Sequence, residues 1–289
     1  MSVKKAILPV AGFGTRLLPA SKSIPKEMIT VVDRPAIEYV VKEAIEAGID
    51  TIVLVTHPAK QAIENYFDRN AELEDLLETK QKHALLTEIQ SILPPHVSVV
   101  TVRQSAPLGL GHAVLCAEKV IGREAFAVLL PDVLVDSERE NNLAQMIAQF
   151  EQSQASQIMV EAVAWERVDQ YGIVALKENN GQQSNDIAAL VEKPALDQAP
   201  SNLAVVGRYV FQPEIFDYLK TTQADKSGEI QLTDAMAQLL AVQTMQTFAL
   251  QGTTYDCGNK VGYLKAVLHY AFKQAELKQT LSEFLNQLK

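Results

Sequence analysis

The chain has 289 residues, 47% hydrophobic and 21% charged, enough for one large α/β core or two small ones and unlike a disordered polymer. A net charge of −9 argues against nucleic-acid partners, though a few local cations could still hold one nucleotide. The two cysteines, Cys116 and Cys257, give neither a disulfide framework nor a zinc spacing, so a reducing compartment fits.

In chain order, Ala6–Val10 is a continuous apolar run, as expected of a strand covered on both faces. It is too short for a signal core or a membrane span and runs straight into a glycine loop, so a soluble, cytoplasmic protein without a membrane partner is expected. Ile37, Val40, Val41, Ala44 and Ile45 recur at helical spacing until Gly48. Thr51–Thr56 predicts a second buried strand. The polar stretch from about Asn65 to Leu93 carries leucines and isoleucines at near-helical spacing and predicts a helical insertion ended by Pro94-Pro95.

Val97–Arg103 and Phe126–Leu130 predict further strands, with a helix over Ala113–Val120 between them, in which Cys116 packs as a small hydrophobe. This alternation predicts an α/β fold: a Rossmann-like, mostly parallel (mixed) sheet flanked by helices. The second half is richer in strands, at Ile158–Ala164, Gly172–Leu176, Ile187–Val191 and Ala204–Phe211. A turn is expected in the polar NNGQQSND stretch and a packed role for Trp165. Helices follow at Pro213–Leu219, Leu232–Leu240 and Val261–Phe272. A last amphipathic helix carries Leu277, Leu281, Phe284, Leu285 and Leu288, suited to intramolecular packing or to a subunit contact.

The segment with the most chemistry is Gly12–Met28, GFGTRLLPASKSIPKEM. Parallel sheets bind ligands at the carboxyl ends of their strands, and glycines there let backbone N–H groups approach a phosphate or a flat base. Arg16, Lys22 and Lys26 add three cations. Leu17 stands where the dinucleotide loop needs its third glycine, and no lysine follows Gly14 as the phosphate-binding loop requires. Asp132 follows an apolar strand and Pro131, so its carboxylate is expected in the ligand crevice. None of the five histidines pairs at a metal-like spacing.

GxGTRLxP…PKEM resembles the loop of the sugar-nucleotide pyrophosphorylases. LGLGHAV (108–114), LLPDVLVD (129–136), YGIV (171–174), VEKP (191–194), VGRYVF (206–211), GEIQLTDA (228–235) and YDCGNKVGYLKA (255–266) follow in order and look like those of the bacterial UTP–glucose-1-phosphate uridylyltransferases. The resemblance implies Mg²⁺-dependent transfer of uridylyl from UTP to glucose 1-phosphate, giving UDP-glucose and pyrophosphate. It implies one domain over 1–289, with a nucleotide-binding half (about 1–135), a sugar-binding half (about 136–275) and a C-terminal helix (about 276–289). It further implies that Ala11, Gly12, Gly14, Glu27, Gln104 and Gly109 bind the nucleotide, and that Arg16 and Lys26 act on the triphosphate. Gly172, Glu192, Lys193 and Gly207 would bind the sugar phosphate, and Asp132 and Asp256 the metal. Lys22 and Asp136 are expected outside the inner shell, and His112 in a packing role at a helix start. A homo-oligomer, dimer or tetramer, is implied. The competing readings are a thymidylyl or other nucleotide–sugar pair and a non-catalytic sugar-nucleotide-binding subunit.

Overall fold

The computed structural model describes residues 2–137, 139–179 and 182–287. Strand β1 (Lys5–Pro9) sends Ala6 and Leu8 into one core and Ile7 into the opposite one, so both faces must be covered. Three short 3₁₀ turns then wind the glycine loop toward a small hairpin, β2 (Thr30–Val31) and β3 (Arg34–Pro35), and helix α1 (Ala36–Glu46). Strand β4 (Thr51–Thr56) repeats the logic of β1, with Ile52 and Leu54 on one side and Val53 and Val55 on the other. Each such residue, fully buried, contributes about 1.5–3 kcal/mol.

The helical insertion is three short helices, α2 (Gln61–Phe67), α3 (Ala71–Thr79) and α4 (His83–Gln90). Asn70 caps α3 by accepting from Leu73 N at 3.0 Å. After β5 (Ser98–Arg103), helix α5 (Gly109–Cys116) begins earlier than predicted, because the two glycines in its first turn hide the apolar signal. A break at Ala117 separates it from α6 (Glu118–Ile121).

The chain continues through β6 (Phe126–Leu129), β7 (Val133–Asp136), α7 (Asn142–Ser153), β8 (Ser156–Ala162), β9 (Gly172–Asn179), β10 (Gln182–Glu192) and β11 (Leu203–Phe211). It closes with α8 (Ile215–Leu219), α9 (Leu232–Leu240), β12 (Met245–Ala249), β13 (Thr253–Asp256), α10 (Lys260–Lys273) and α11 (Ala275–Gln287).

Nine strands form one mixed sheet in the order β5-β4-β1-β6-β11-β8-β12-β10-β9. The run from β5 to β6 is parallel, as is β8–β12. Strand β11 is antiparallel to both β6 and β8. Helices α1, α7 and α10 contribute to the core on one face, and α5, α8 and α9 to the core on the other. Strands β7 and β13 pair as a separate antiparallel ribbon.

Two expectations are corrected, for the NNGQQSND stretch and for Trp165. The predicted turn in NNGQQSND is largely strand, since β10 begins at Gln182, where ladder hydrogen bonding needs no apolar side chains; Asn180 and Gly181 themselves lie outside the described residues. Trp165 is not packed: it stands 48% exposed on a 3₁₀ turn, Trp165–Gln170. The last helix keeps Phe284 and Leu285 exposed, and Leu288 lies outside the described residues.

Candidate active site

The carboxyl ends of β1, β4 and β6 open onto the glycine loop. At Gly12 a Cβ would meet nothing within 4 Å, so the backbone there faces open space. Gly14 has φ +65°, and a Cβ on it would stand 3.0 Å from the Cβ of Lys26. Glycine is required twice over, for the left-handed backbone and for the close passage of the lysine stem. Ser21 Oγ donates to Gly14 O at 2.7 Å and holds the loop closed.

Lys26 is ion-paired to Asp132 Oδ2. Burial alone pushes the lysine pKa down, but Asp132, Glu27 and Asp256 outweigh it, and the group lies above the ordinary lysine value. Burial pushes the Asp132 carboxyl up, and the Lys26 ammonium, with Arg16 farther out, overcomes it and holds the group below the usual carboxylate range. Lys26 is cationic and Asp132 anionic at neutral pH.

Asp256 is held by two donors, Gly258 N on Oδ1 and Asn259 Nδ2 on Oδ2, both at 2.8 Å. Cys257 N donates to Asp132 O at 2.7 Å, binding the two acidic turns together. A Cβ on Gly258 would lie 2.8 Å from Asp132 Oδ2 and 2.9 Å from Asp256 Oδ1, so the two carboxylates converge on one point. Among the described residues no group of three or more His, Cys, Asp or Glu side chains is arranged for a metal ion. Two converging carboxylates fit Mg²⁺, which completes its shell with phosphate oxygens and water.

Two cavities adjoin at this point. The smaller, of about 360 Å³, is lined by Ala11, Gly12, Lys26, Gln104, Gly109, Asp132 and Glu229. The larger, of about 910 Å³, is lined by Arg16, Asp132, Arg167, Tyr171, Lys193, Gly207, Asp256 and Lys265, among others. Asp132 lines both.

In the smaller cavity Gln104 Nε2 donates to Gly109 O at 3.1 Å and stands 3.0 Å from His112 Nδ1. With both amide hydrogens engaged, Oε1 is the group left for a ligand N–H. Gly109 has φ +90°, and a Cβ there would sit 2.9 Å from Ile230 O. The 108–111 loop is pinned to 229–231 through Ile230 N to Leu108 O at 2.8 Å and Gly111 N to Ile230 O at 2.9 Å.

In the larger cavity Lys193 has φ +43°, a left-handed backbone that an L side chain adopts only under constraint. Its N–H donates to Tyr171 O at 3.0 Å. The Tyr171 hydroxyl accepts from Arg167, whose guanidinium lies 5.5 Å over the tyrosine ring.

Four expected ligand contacts line neither cavity: Gly14, whose role is in the loop, Glu27, Glu192 and Gly172. Glu27 is fully enclosed: Oε2 accepts from Lys60 Nζ at 2.7 Å, and Oε1 has no partner among the described residues. Burial pushes Glu27 up against the pull of Lys60 and Lys26, and pushes Lys60 down against the pull of Glu27. The pair is close enough to Lys26 for each charge to act on the other. Glu192 accepts from Thr233 Oγ1 at 2.7 Å and pairs with Lys193 at 3.1 Å, and does not itself line the cavity. Gly172 gives it room, since a Cβ there would be 3.2 Å from Glu192 Oε2. Asp136 sits outside the shell as expected, bound to His269 at 2.6 Å and to Lys273.

Sequence reasoning missed Lys60, Arg167, Tyr171, Asn259 and Lys265. Tyr171 and Asn259 lay within the YGIV and YDCGNK motifs. Lys265 lay within the longer YDCGNKVGYLKA motif, whereas for Lys60 no local pattern separates it from a solvated lysine.

A family model described as nucleotidyl transferase matches residues 5–273. The UTP–glucose-1-phosphate uridylyltransferase of Haemophilus influenzae is 49% identical over 98% of each chain. A solved structure titled UTP-bound UGPase from Acinetobacter baumannii is 57% identical, covers 99% of this chain and 100% of its own, and superposes with a TM-score of 0.91. A UDP-glucose pyrophosphorylase complexed with UDP-glucose is 39% identical over 94% of this chain and 100% of its own, with a TM-score of 0.84. With a match across nearly its whole length and relatives this similar, the chain belongs to the nucleotidyl transferase family.

Proposed function

We infer that the chain is a UTP–glucose-1-phosphate uridylyltransferase, making UDP-glucose and pyrophosphate. One observation carries the reading: Asp132, neutralised by Lys26 and converging with Asp256, lines two adjoining cavities, one holding Gln104 and the glycine loop and the other Lys193 and Arg16. Two anionic reactants entering from opposite sides would meet there. The relatives' names supply the identities of those reactants.

An ionised phosphate oxygen of glucose 1-phosphate forms a bond to the α-phosphorus of UTP. The bond from that phosphorus to the bridging oxygen breaks, and pyrophosphate leaves with the electron pair. No proton need be removed from the nucleophile, so the protein's part is positioning and charge neutralisation. Gln104 Oε1 accepts from uracil N3–H, while Ala11, Gly12 and Gly109 bring backbone against the ring. Lys26, released from Asp132, and Arg16 neutralise the triphosphate. Lys193, with Gly207 opposite, receives the sugar phosphate. Asp132 and Asp256 would hold Mg²⁺, which supplies charge neutralisation at the phosphate oxygens.

The division into a nucleotide half, about 1–135, and a sugar half, about 136–275, is part of the same reading, supported by the smaller cavity's lining coming from the first half apart from Glu229 and most of the larger's from the second. A homo-oligomer is part of the same reading, supported by Val261, Leu264 and Leu268 exposed on α10 and Phe284 on α11. No helix among the described residues is long and apolar enough to cross a membrane, and a nucleoside triphosphate substrate argues for the cytoplasm.

The test is pyrophosphate release by the purified chain with Mg²⁺, UTP and glucose 1-phosphate, run against dTTP and against other sugar phosphates. Release with another pair and none with this one overturns the substrate assignment.

A further inference from the structure

Arg208 on β11 is the largest fully buried side chain of the molecule, and none of its atoms lines either cavity. A buried guanidinium is costly unless every donor is used. Here all five N–H groups are. Nε and one Nη2 hydrogen go to the Glu43 carboxylate, at 2.9 Å and 2.7 Å. The other Nη2 hydrogen goes to Val133 O at 2.7 Å. The two on Nη1 go to Leu130 O at 3.2 Å and Gly207 O at 3.3 Å.

The acceptors on Leu130 and Val133 bracket Asp132. On its β11 side the turn that carries the shared carboxylate is therefore held at both ends by one guanidinium, itself locked to α1 by Glu43, while Cys257 N holds Asp132 O from the other acidic turn. The other end of the assembly is fixed by register: Arg208 pairs with Leu129 across β11 and β6, and Leu130 N donates to Gly207 O at 2.9 Å. Gly207, with φ +82°, lets the strand pass against Leu130, where a Cβ would meet a leucine methyl at 2.7 Å. A lysine could keep the charge pair, but its compact ammonium lacks the planar fork that reaches two carbonyls and a carboxylate together.

We propose that Arg208, held by Glu43, is a positioning residue: it sets the Leu130–Val133 turn so that the Asp132 carboxylate meets Asp256 at the metal- and phosphate-binding point. It touches no reactant and acts only through Asp132. The inference rests on the reading of the site given above.

The experiment compares the wild type with Arg208→Met, Arg208→Lys and the double variant Glu43→Met with Arg208→Met. The readouts are the thermal midpoint, kcat and KM for each substrate, and UTP affinity by calorimetry with and without Mg²⁺, sugar phosphate being absent. Arg208→Met leaves the mostly enclosed Glu43 carboxylate without its partner, and the midpoint falls. The double variant replaces the pair by apolar groups of similar volume, and the midpoint recovers. In all three variants the gain in UTP affinity conferred by Mg²⁺ shrinks roughly 10- to 100-fold, the usual consequence of disturbing the groups that orient a metal's ligands. The metal-free UTP affinity stays as in the wild type, and kcat falls with the gain. A double variant that regains the Mg²⁺-dependent affinity and kcat along with its stability, or Arg208→Lys matching the wild type, overturns the proposal. A wild-type chain that gains no UTP affinity from Mg²⁺ overturns the reading of the site and this proposal with it.

Discussion

Replacing Gly258 by alanine tests the convergence of the two carboxylates without changing any charge. The glycine's backbone is not left-handed, so alanine meets no conformational penalty there. Its Cβ would land 2.8 Å from Asp132 Oδ2 and 2.9 Å from Asp256 Oδ1. Carbon–oxygen contacts settle at about 3.3–3.6 Å, so each carboxylate must retreat by about half an ångström. Asp256 cannot retreat freely, because Gly258 N and Asn259 Nδ2 hold it at 2.8 Å, and Asp132 is held by Lys26. Displacements of this order at a positioned site cost about 10²-fold in rate, or about 2.7 kcal/mol of barrier. The assay is pyrophosphate release as a function of Mg²⁺, with the thermal midpoint as control. Gly258→Ala should keep its fold, lose about two decades in kcat/KM and need more Mg²⁺ for half-maximal rate. A loss below about threefold, with an unchanged Mg²⁺ dependence, would refute the view that the space between these carboxylates is where the reaction's charge is held.

Gln104→Leu removes the free amide oxygen and should raise the KM for UTP about tenfold or more while leaving that for glucose 1-phosphate in place; parallel changes in both would argue against a base-reading role. Lys193→Ala should weaken glucose 1-phosphate more than UTP, and Lys193→Gly should be the more stable of the two, because φ +43° suits glycine; equal loss of both substrates contradicts the division of the cavities. Burial pushes Asp136 up, but Lys273 and His269 pull it below its ordinary value of 3.8. A depressed carboxylate stabilises the fold above its unfolded pKa and loses that contribution as pH falls through the folded one. Asp136→Asn should therefore lower the melting temperature at pH 7, and the gap to the wild type should close as pH drops below about 3.8; a gap independent of pH would refute the pairing.

The buried parallel strands were legible in the sequence because both their faces are covered. Thr51–Thr56 is apolar almost throughout and is found at the predicted bounds. Strands β7 and β13 left no such mark: they are four residues each, half-buried, and paired only with one another. Asp132 could be found from its place after a buried strand and a proline. Arg208 could not, since its partner Glu43 lies 165 residues away on a helix and both read locally as ordinary charges. The Glu27 partner was hidden for a similar reason: Glu27 follows Lys26 directly on a 3₁₀ turn, but its side chain is buried and paired with Lys60, 33 residues on.

The reversal of β11 within the sheet has a consequence for how a second reactant is admitted. Parallel strands present all their carboxyl ends along one rim, and a single-direction sheet would leave the incoming end of every strand on the far side of the molecule. Because β11 runs against β6, its amino-terminal stretch arrives at the rim where β6 finishes, and Gly207 comes to lie beside Leu130. One strand of opposite sense thus brings two stretches of chain remote in sequence to a common border. A partner for the nucleotide can be received there by rigid scaffold, without a hinge to swing it into place.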